Sequence, residues 1–409
     1  MNIKTLIILI VLIGLGIGGV FVWKDILGPE EGEKEVEKEE VSSVVEETKG
    51  EEETLEEQVE EKVEKEEGAL TTKEEEETSQ LILEIPESAL ESKFGYMAHH
   101  GDWQTLQVFQ ERYSYLSWER AHPGFANWQE IEPKEGEYHW EMIDQYVRTS
   151  QEKDIQILFT VWPFTDWDQE NCNLYLEWQP NDWGKDPRDF LPLAHRKGKP
   201  CDIEAYKEFL RRIVERYDGD GSGDMPGLRY TIKYWEIGNE PDGAYDPKLD
   251  GLFFQGSAED YFEILKVSYI TIKEADPDAR ILIAALPSLG IKGRDPQWKR
   301  PDFDPEKVFE LGAAEYFDIL NTHSLGRAKE IKNLLLGYNV NDKPIWVTEP
   351  GGLGEFKEPA GAGGEEELKF ALIQLFEDDL KNNATKIFIG GPEYLDLALY
   401  KAINYIEGI

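Results

Sequence analysis

Along most of this chain, short apolar runs alternate with longer segments whose apolar residues recur at helical spacing. The runs near Phe94–Met97, Tyr113–Trp118, Ile155–Val161, Tyr234–Gly238, Ile281–Ala285, Phe317–Thr322, Ile345–Thr348 and Lys386–Ile389 predict strands. Between them, Glu141–Lys153, Ile203–Tyr217, Ala258–Ala275 and Glu365–Asn382 predict amphipathic helices. A strand-helix alternation of this kind builds a parallel sheet, and eight such strands predict an α/β protein with the (β/α)8 TIM-barrel architecture. The segment from Trp162 to Lys199 breaks the rhythm and predicts an irregular loop at the active-site end. After Tyr394 the last helix is expected to be short.

The first 80 residues follow other rules. Thr5–Trp23 is an apolar run of about 19 residues between Lys4 and Lys24, enough to cross a hydrocarbon core. Its exit, Gly18-Gly19-Val20-Phe21-Val22-Trp23, carries bulky residues where a signal peptidase requires small ones. Residues 1–28 are therefore expected to be an uncleaved membrane anchor, with a cleaved signal as the alternative. Positive-inside logic expects a single-pass protein of the cell membrane with its bulk extracellular. Residues 29–80 hold 23 Glu and 6 Lys and no aromatic residue. Such a segment buries too little surface to offset its ordering entropy and is expected to be a disordered acidic linker. Residues 81–409 form the expected (β/α)8 domain.

Charge narrows the ligand. The chain carries a formal net charge of −41; the linker holds −17 and residues 1–28 hold +1, leaving −25 for the domain. That argues against nucleic acid or an anionic membrane surface as a ligand, and is compatible with a neutral polysaccharide. Cys172 and Cys201 are the two cysteines. In an oxidising location they are expected to pair within disulfide reach; two free buried thiols are the alternative. Asp218–Asp224 has the first half of a calcium-loop pattern, but its twelfth position is Arg229, so a Gly-rich acidic turn is expected.

Two segments carry the chemistry. Tyr234-Trp235-Glu236-Ile237-Gly238-Asn239-Glu240-Pro241 and Pro344-Ile345-Trp346-Val347-Thr348-Glu349-Pro350 each run as a strand into a glutamate and turn at a proline. Paired carboxylates at strand ends are what glycosidic bond cleavage requires. An Asn-Glu-Pro ending one strand and a Thr-Glu-Pro about 110 residues later resemble the retaining (β/α)8 glycoside hydrolases of clan A. The stretch Trp128-Gln129-Glu130-Ile131-Glu132-Pro133 with Gly136, Tyr138 and Trp140 resembles families such as 39, 42 and 5, without fixing one.

The resemblance implies Glu240 as acid/base, Glu349 as nucleophile, Asn239 on the sugar 2-hydroxyl and Arg120 beside Glu349. It also implies double displacement on a neutral β-linked saccharide, with carboxyl groups about 5–5.5 Å apart. A retaining acid needs its pKa raised by burial and by its charged neighbour. Glu236 is expected to point into the barrel one layer below, in a structural role. His99, His100, His122 and His323 follow expected strands and are candidates for hydrogen bonds to sugar hydroxyls and to the carboxylates. Trp162 and Trp167 are candidate sugar-stacking walls. No cofactor and no metal are expected, although a metal-dependent hydrolase and a weakly catalytic carbohydrate-binding barrel remain alternatives. The chain departs from many clan members after strand six, where it reads His323-Ser324-Leu325 in place of a tyrosine. It departs again after strand eight, where Ile389-Gly390-Gly391 stands in place of a tryptophan.

Overall fold

The computed structural model describes residues 85–99, 103–172, 194, 196–243, 253–289, 302–351, 353, 364–391 and 393–408. The expected anchor, the acidic linker and His100 lie outside the described residues. Among the described residues no helix is long and apolar enough to cross a membrane.

Helix α1 (Glu87–Glu91) leads to β1 (Phe94–His99), α2 (Trp103–Arg112), β2 (Trp118–His122), α3 (Trp128–Ile131), α4 (Glu141–Glu152) and β3 (Gln156–Val161). Then come α5 (Asp166–Cys172), α6 (Ile203–Glu215), β4 (Tyr234–Ile237), α7 (Ala258–Ala275), β5 (Arg280–Ile283) and α8 (Pro305–Glu310). The chain continues with β6 (Leu320–Ser324), α9 (Ala328–Leu334), β7 (Ile345–Gly351), α10 (Gly364–Lys381), β8 (Ala384–Ile389) and α11 (Asp396–Glu407). The eight strands pair in the order β5-β4-β3-β2-β1-β8-β7-β6. A parallel bridge from Leu282 to Ile319, just before β6, closes the ring. The helices cap where their sequence provides for it. Asp202 accepts from the Glu204 and Ala205 amides at the start of α6, and Ser257 with Asp260 forms a capping box on α7.

Three expectations are corrected. The second strand is Trp118–His122, not Tyr113–Trp118, because its interior carries Glu119 and Arg120, both fully buried. A polar pair inside a strand hides it from a hydrophobicity pattern. The sixth strand is Leu320–Ser324 rather than Phe317–Thr322, for the same reason: after Leu320 its buried residues are the polar Asn321, Thr322, His323 and Ser324. The last helix, α11, runs 12 residues and is not short. In the Trp162–Lys199 segment, α5 is regular, and Cys172 is bonded to Cys201 with Cα atoms 5.7 Å apart. The Asp218–Asp224 turn is held by its own chain: Asp224 accepts from the Gly219 and Gly221 amides at 2.9 and 2.8 Å.

Alternation along the strands stacks the barrel interior in layers. One end is apolar: Trp118, Leu158, Leu282, Ile319, Trp346 and Phe388 pack together, with Tyr234 against them. Helix α1 lies at this end, where the buried Trp118 Nε1–H donates to the Ala89 carbonyl at 2.6 Å. Two residues further along the same strands the interior turns polar, at Arg120, Glu236 and Thr348.

Candidate active site

Glu236 anchors the polar layer. Its carboxylate accepts from Arg120 Nε (2.7 Å) and Nη2 (3.2 Å), from Thr160 Oγ1 (2.7 Å) and from Asn321 Nδ2 (2.6 Å). Thr348 Oγ1 in turn donates to Asn321 Oδ1 at 2.7 Å. Burial alone would raise the Glu236 pKa. The Arg120 charge, the nearby His323 and the hydrogen bonds from Arg120 outweigh it and bring it down to about 2. The Arg120 guanidinium, although fully buried, is held more firmly protonated than usual: desolvation opposes its charge, and Glu236 and Glu349 favour it.

Arg120 links this layer to the catalytic candidates. Its Nη2 donates to Asn239 Oδ1 at 2.6 Å and its Nη1 lies 3.4 Å from Glu349 Oε2. Asn239 is thereby fixed in orientation, and its buried Nδ2 has no protein partner. Asn239 and Glu240 sit just beyond β4. Gly238 there has φ 76° and Glu240 φ 42°. Positive φ costs a non-glycine residue energy and aims its side chain in a direction extended backbone does not allow. Gly243 makes room for this turn: its amide donates to the Glu240 carbonyl at 2.9 Å. A Cβ on Gly243 would come within 3.1 Å of that carbonyl and 3.5 Å of Glu240 Oε2.

His323, at the end of β6, joins the two glutamates. Its Nδ1 is 2.7 Å from Glu240 Oε1 and 3.5 Å from Glu349 Oε2; its Nε2 is 3.8 Å from Glu236 Oε1. Burial would lower the pKa of this imidazole, but the carboxylates raise it to about 9, with Glu349 the largest contributor. At neutral pH it is an imidazolium facing three carboxylates. One carboxylate oxygen from each of Glu240 and Glu349, and a nitrogen of His323, lie within 4.8 Å of one another.

The structure thus brings together Arg120, Asn239, Glu240, His323 and Glu349. Of the other candidates, His100 lies outside the described residues. The backbone of His99 pairs with that of His122 across β1 and β2, and His122 packs edge-on against Phe253 and tilted against Trp162. Trp162 is corrected from a sugar-stacking wall to a core residue: it is fully buried and its Nε1 donates to the Pro123 carbonyl at 2.5 Å. Trp167 packs its ring against Trp128 and, with Tyr138 and Arg212, lines a separate groove. Gly243 and Glu236's hydrogen-bonding partners Thr160, Asn321 and Thr348 were missed. For the three polar residues the one signal was position, a polar side chain two residues from an apolar one in a strand; Gly243 had none.

No family model matches the sequence, and no curated protein matches it. Solved structures similar to it include a glucosidase from Croceicoccus marinus, at 15% identity and a TM-score of 0.47 over 76% of this chain and 62% of that one. A GH39 β-xylosidase from Caulobacter crescentus matches at 14% identity and a TM-score of 0.46, over 73% of this chain and 61% of that one. Xylanase 10B from Thermotoga maritima matches at 14% identity and a TM-score of 0.48, over 80% of this chain and 100% of that one. The chain therefore spans about three fifths of the glucosidase and of the β-xylosidase.

Proposed function

We propose that the protein is a retaining glycoside hydrolase that cleaves a neutral β-linked oligo- or polysaccharide by double displacement. The observation that carries this reading is the convergence of the two glutamates, one just beyond β4 and one in β7, on His323 Nδ1, 2.7 Å from Glu240 Oε1 and 3.5 Å from Glu349 Oε2. Retaining enzymes hold their carboxyl groups about 5–5.5 Å apart, and inverting enzymes about 6.5–9.5 Å, to admit a water.

Charge supports the division of labour. Glu236, Glu240 and Glu349 carry three negative charges, and Arg120 and His323 supply two positive ones. Arg120 Nη1, 3.4 Å from Glu349 Oε2, favours Glu349 as the nucleophilic carboxylate and leaves the general-acid role to Glu240. Glu349, beside Arg120 Nη1, then attacks the anomeric carbon as Glu240 protonates the glycosidic oxygen. The aglycone leaves, and a glycosyl ester remains on Glu349. In the second step Glu240, now a carboxylate, takes a proton from water, and that water displaces Glu349. Asn239 Nδ2, free of protein partners, serves as donor to the sugar 2-hydroxyl, where a hydrogen bond strengthens in the transition state. On sequence grounds we place the domain outside the cell, tethered through the apolar run and the acidic linker.

Aryl β-glycosides and neutral polysaccharides, screened against the full chain, test the reading. Proton NMR of the first-formed product is expected to show the β-anomer, from activity that survives a chelator. A first-formed α-anomer would mean inversion. Activity that disappears with EDTA and returns with a metal would favour a metal-dependent hydrolase.

A further inference from the structure

We propose that the gap between Glu240, His323 and Glu349 is also a reversible inhibitory site for a divalent cation of the zinc class. The proposal rests on the catalytic reading of the two glutamates for its inhibitory effect, but not for the binding itself.

Three ligand atoms of the right kinds converge. His323 Nδ1 lies 2.7 Å from Glu240 Oε1 and 3.5 Å from Glu349 Oε2. Imidazole nitrogen and carboxylate oxygen bind zinc at about 2.0–2.2 Å, which places tetrahedral ligand atoms roughly 3.3 Å apart. Small side-chain rotations therefore suffice to seat an ion. Glu240 and Glu349 are about a quarter exposed, so the gap opens to solvent and leaves the fourth position to water.

A second observation comes from behind the ring. Nε2 of His323 is buried without a hydrogen-bonding partner, and Glu236 Oε1 is 3.8 Å from it. A histidine that ligates through Nδ1 carries its proton on Nε2, and metal-binding histidines are oriented by a carboxylate on that side. Glu236 supplies that carboxylate and is itself fixed by Arg120, Thr160 and Asn321.

Charge points the same way. With His323 neutral, three carboxylates face one arginine, and a divalent cation brings the sum to zero. Arg120 opposes the cation less than its proximity suggests. Its guanidinium makes its short contacts to Glu236 and Asn239, and reaches Glu349 at 3.4 Å. A cation seated here occupies the oxygens that the nucleophile and the acid/base each need, so binding and catalysis exclude each other.

Cobalt(II) reports the site in the full-length protein, because tetrahedral Co2+ absorbs visibly and the carboxylates of the acidic segment give only faint octahedral bands. The expected result is a visible band that saturates at one equivalent and is displaced by Zn2+. The initial rate on an aryl β-glycoside should fall in parallel and recover with EDTA. His323→Gln should lose the band and weaken Zn2+ binding at least about 10-fold while keeping the native circular dichroism. Glu240→Gln serves as the second variant if the first does not fold. The proposal is overturned if wild type gives no saturating band, if both variants keep it, or if activity rises with the cation. A saturating band without glycosidase activity would sink the catalytic reading and leave the metal site standing. Glycosidase activity without the band would do the reverse.

Discussion

The two ends of the barrel interior use the same strands for opposite purposes. At one end, Trp118, Tyr234 and Trp346 pack ring to ring, with centroids 4.9 Å apart for Trp118–Tyr234 and 5.5 Å for Trp118–Trp346. Two residues on, the same three strands present Arg120, Glu236 and Thr348. Two buried bases, Lys386 at the apolar end and His323 at the polar end, behave differently. Lys386 lies 4.3 Å from the Trp118 ring centroid; burial lowers its pKa to about 7. His323 is as buried, yet carboxylates raise it to about 9. Burial alone therefore does not set the charge; the facing partner does. In the proposed reading the apolar end serves stability and the polar end chemistry, and each substitution below tests that division.

Glu349→Gly should have the largest effect. Loss of the nucleophile is expected to cost on the order of 10⁴–10⁶-fold in kcat on aryl glycosides. The melting temperature should hold within a few degrees, because Arg120 keeps Glu236. A stable variant with near-normal kcat would remove Glu349 from the mechanism.

Trp346→Ala and Glu236→Leu separate the two ends. The first opens a cavity worth about 3–5 kcal/mol. The second leaves Arg120 without its main partner, at a cost of about 3–5 kcal/mol. Urea unfolding should show both losses. Only Glu236→Leu should lower kcat in the protein that remains folded, because only Glu236 positions Arg120 and His323. Equal kcat losses would erase the distinction.

In the proposed reading His323 carries the pH dependence. Its folded pKa is raised, so the imidazolium is present below about 9 and its contribution is lost as pH rises through that value. Activity should fall on that alkaline side, and His323→Gln should lose the limb. Stability linked to the group should be full below roughly pH 6.5, the ordinary histidine value, and lost through about 9. A variant with an unchanged alkaline limb would assign it to another group.

Gly243→Ala is the subtlest test. The added methyl crowds the Glu240 carbonyl and approaches its carboxylate. A loss in kcat of about 10-fold is expected, larger for substrates with poor leaving groups, which need the proton most. Equal losses for good and poor leaving groups would separate Gly243 from the acid.

Much of this was legible in the sequence. Apolar runs located six of the eight strands closely, and α7 appears at its expected limits, Ala258–Ala275. The two strands that were misplaced, β2 and β6, bury charged and polar residues; Arg120 and Asn321 both bond Glu236 in β4, 116 and 85 residues away in sequence. No local pattern carries that information. Glu240 and Glu349 were visible because a strand, a glutamate and a proline adjoin in the chain. The positive φ of Glu240 and the space kept by Gly243 depend on a three-dimensional turn. Trp162 shows the converse: a tryptophan beyond a strand suggested a sugar platform, and its indole is committed to the Pro123 carbonyl.

The most direct test of the central claim compares the two glutamates in the presence of azide, with an aryl β-glycoside bearing a good leaving group. In Glu349→Gly, azide entering the vacated space should give the α-glycosyl azide. In Glu240→Ala, the intermediate on Glu349 should still form, and azide should give the β-glycosyl azide. Exchanged products would reverse the two roles, and no azide product from either variant would contradict double displacement at this pair.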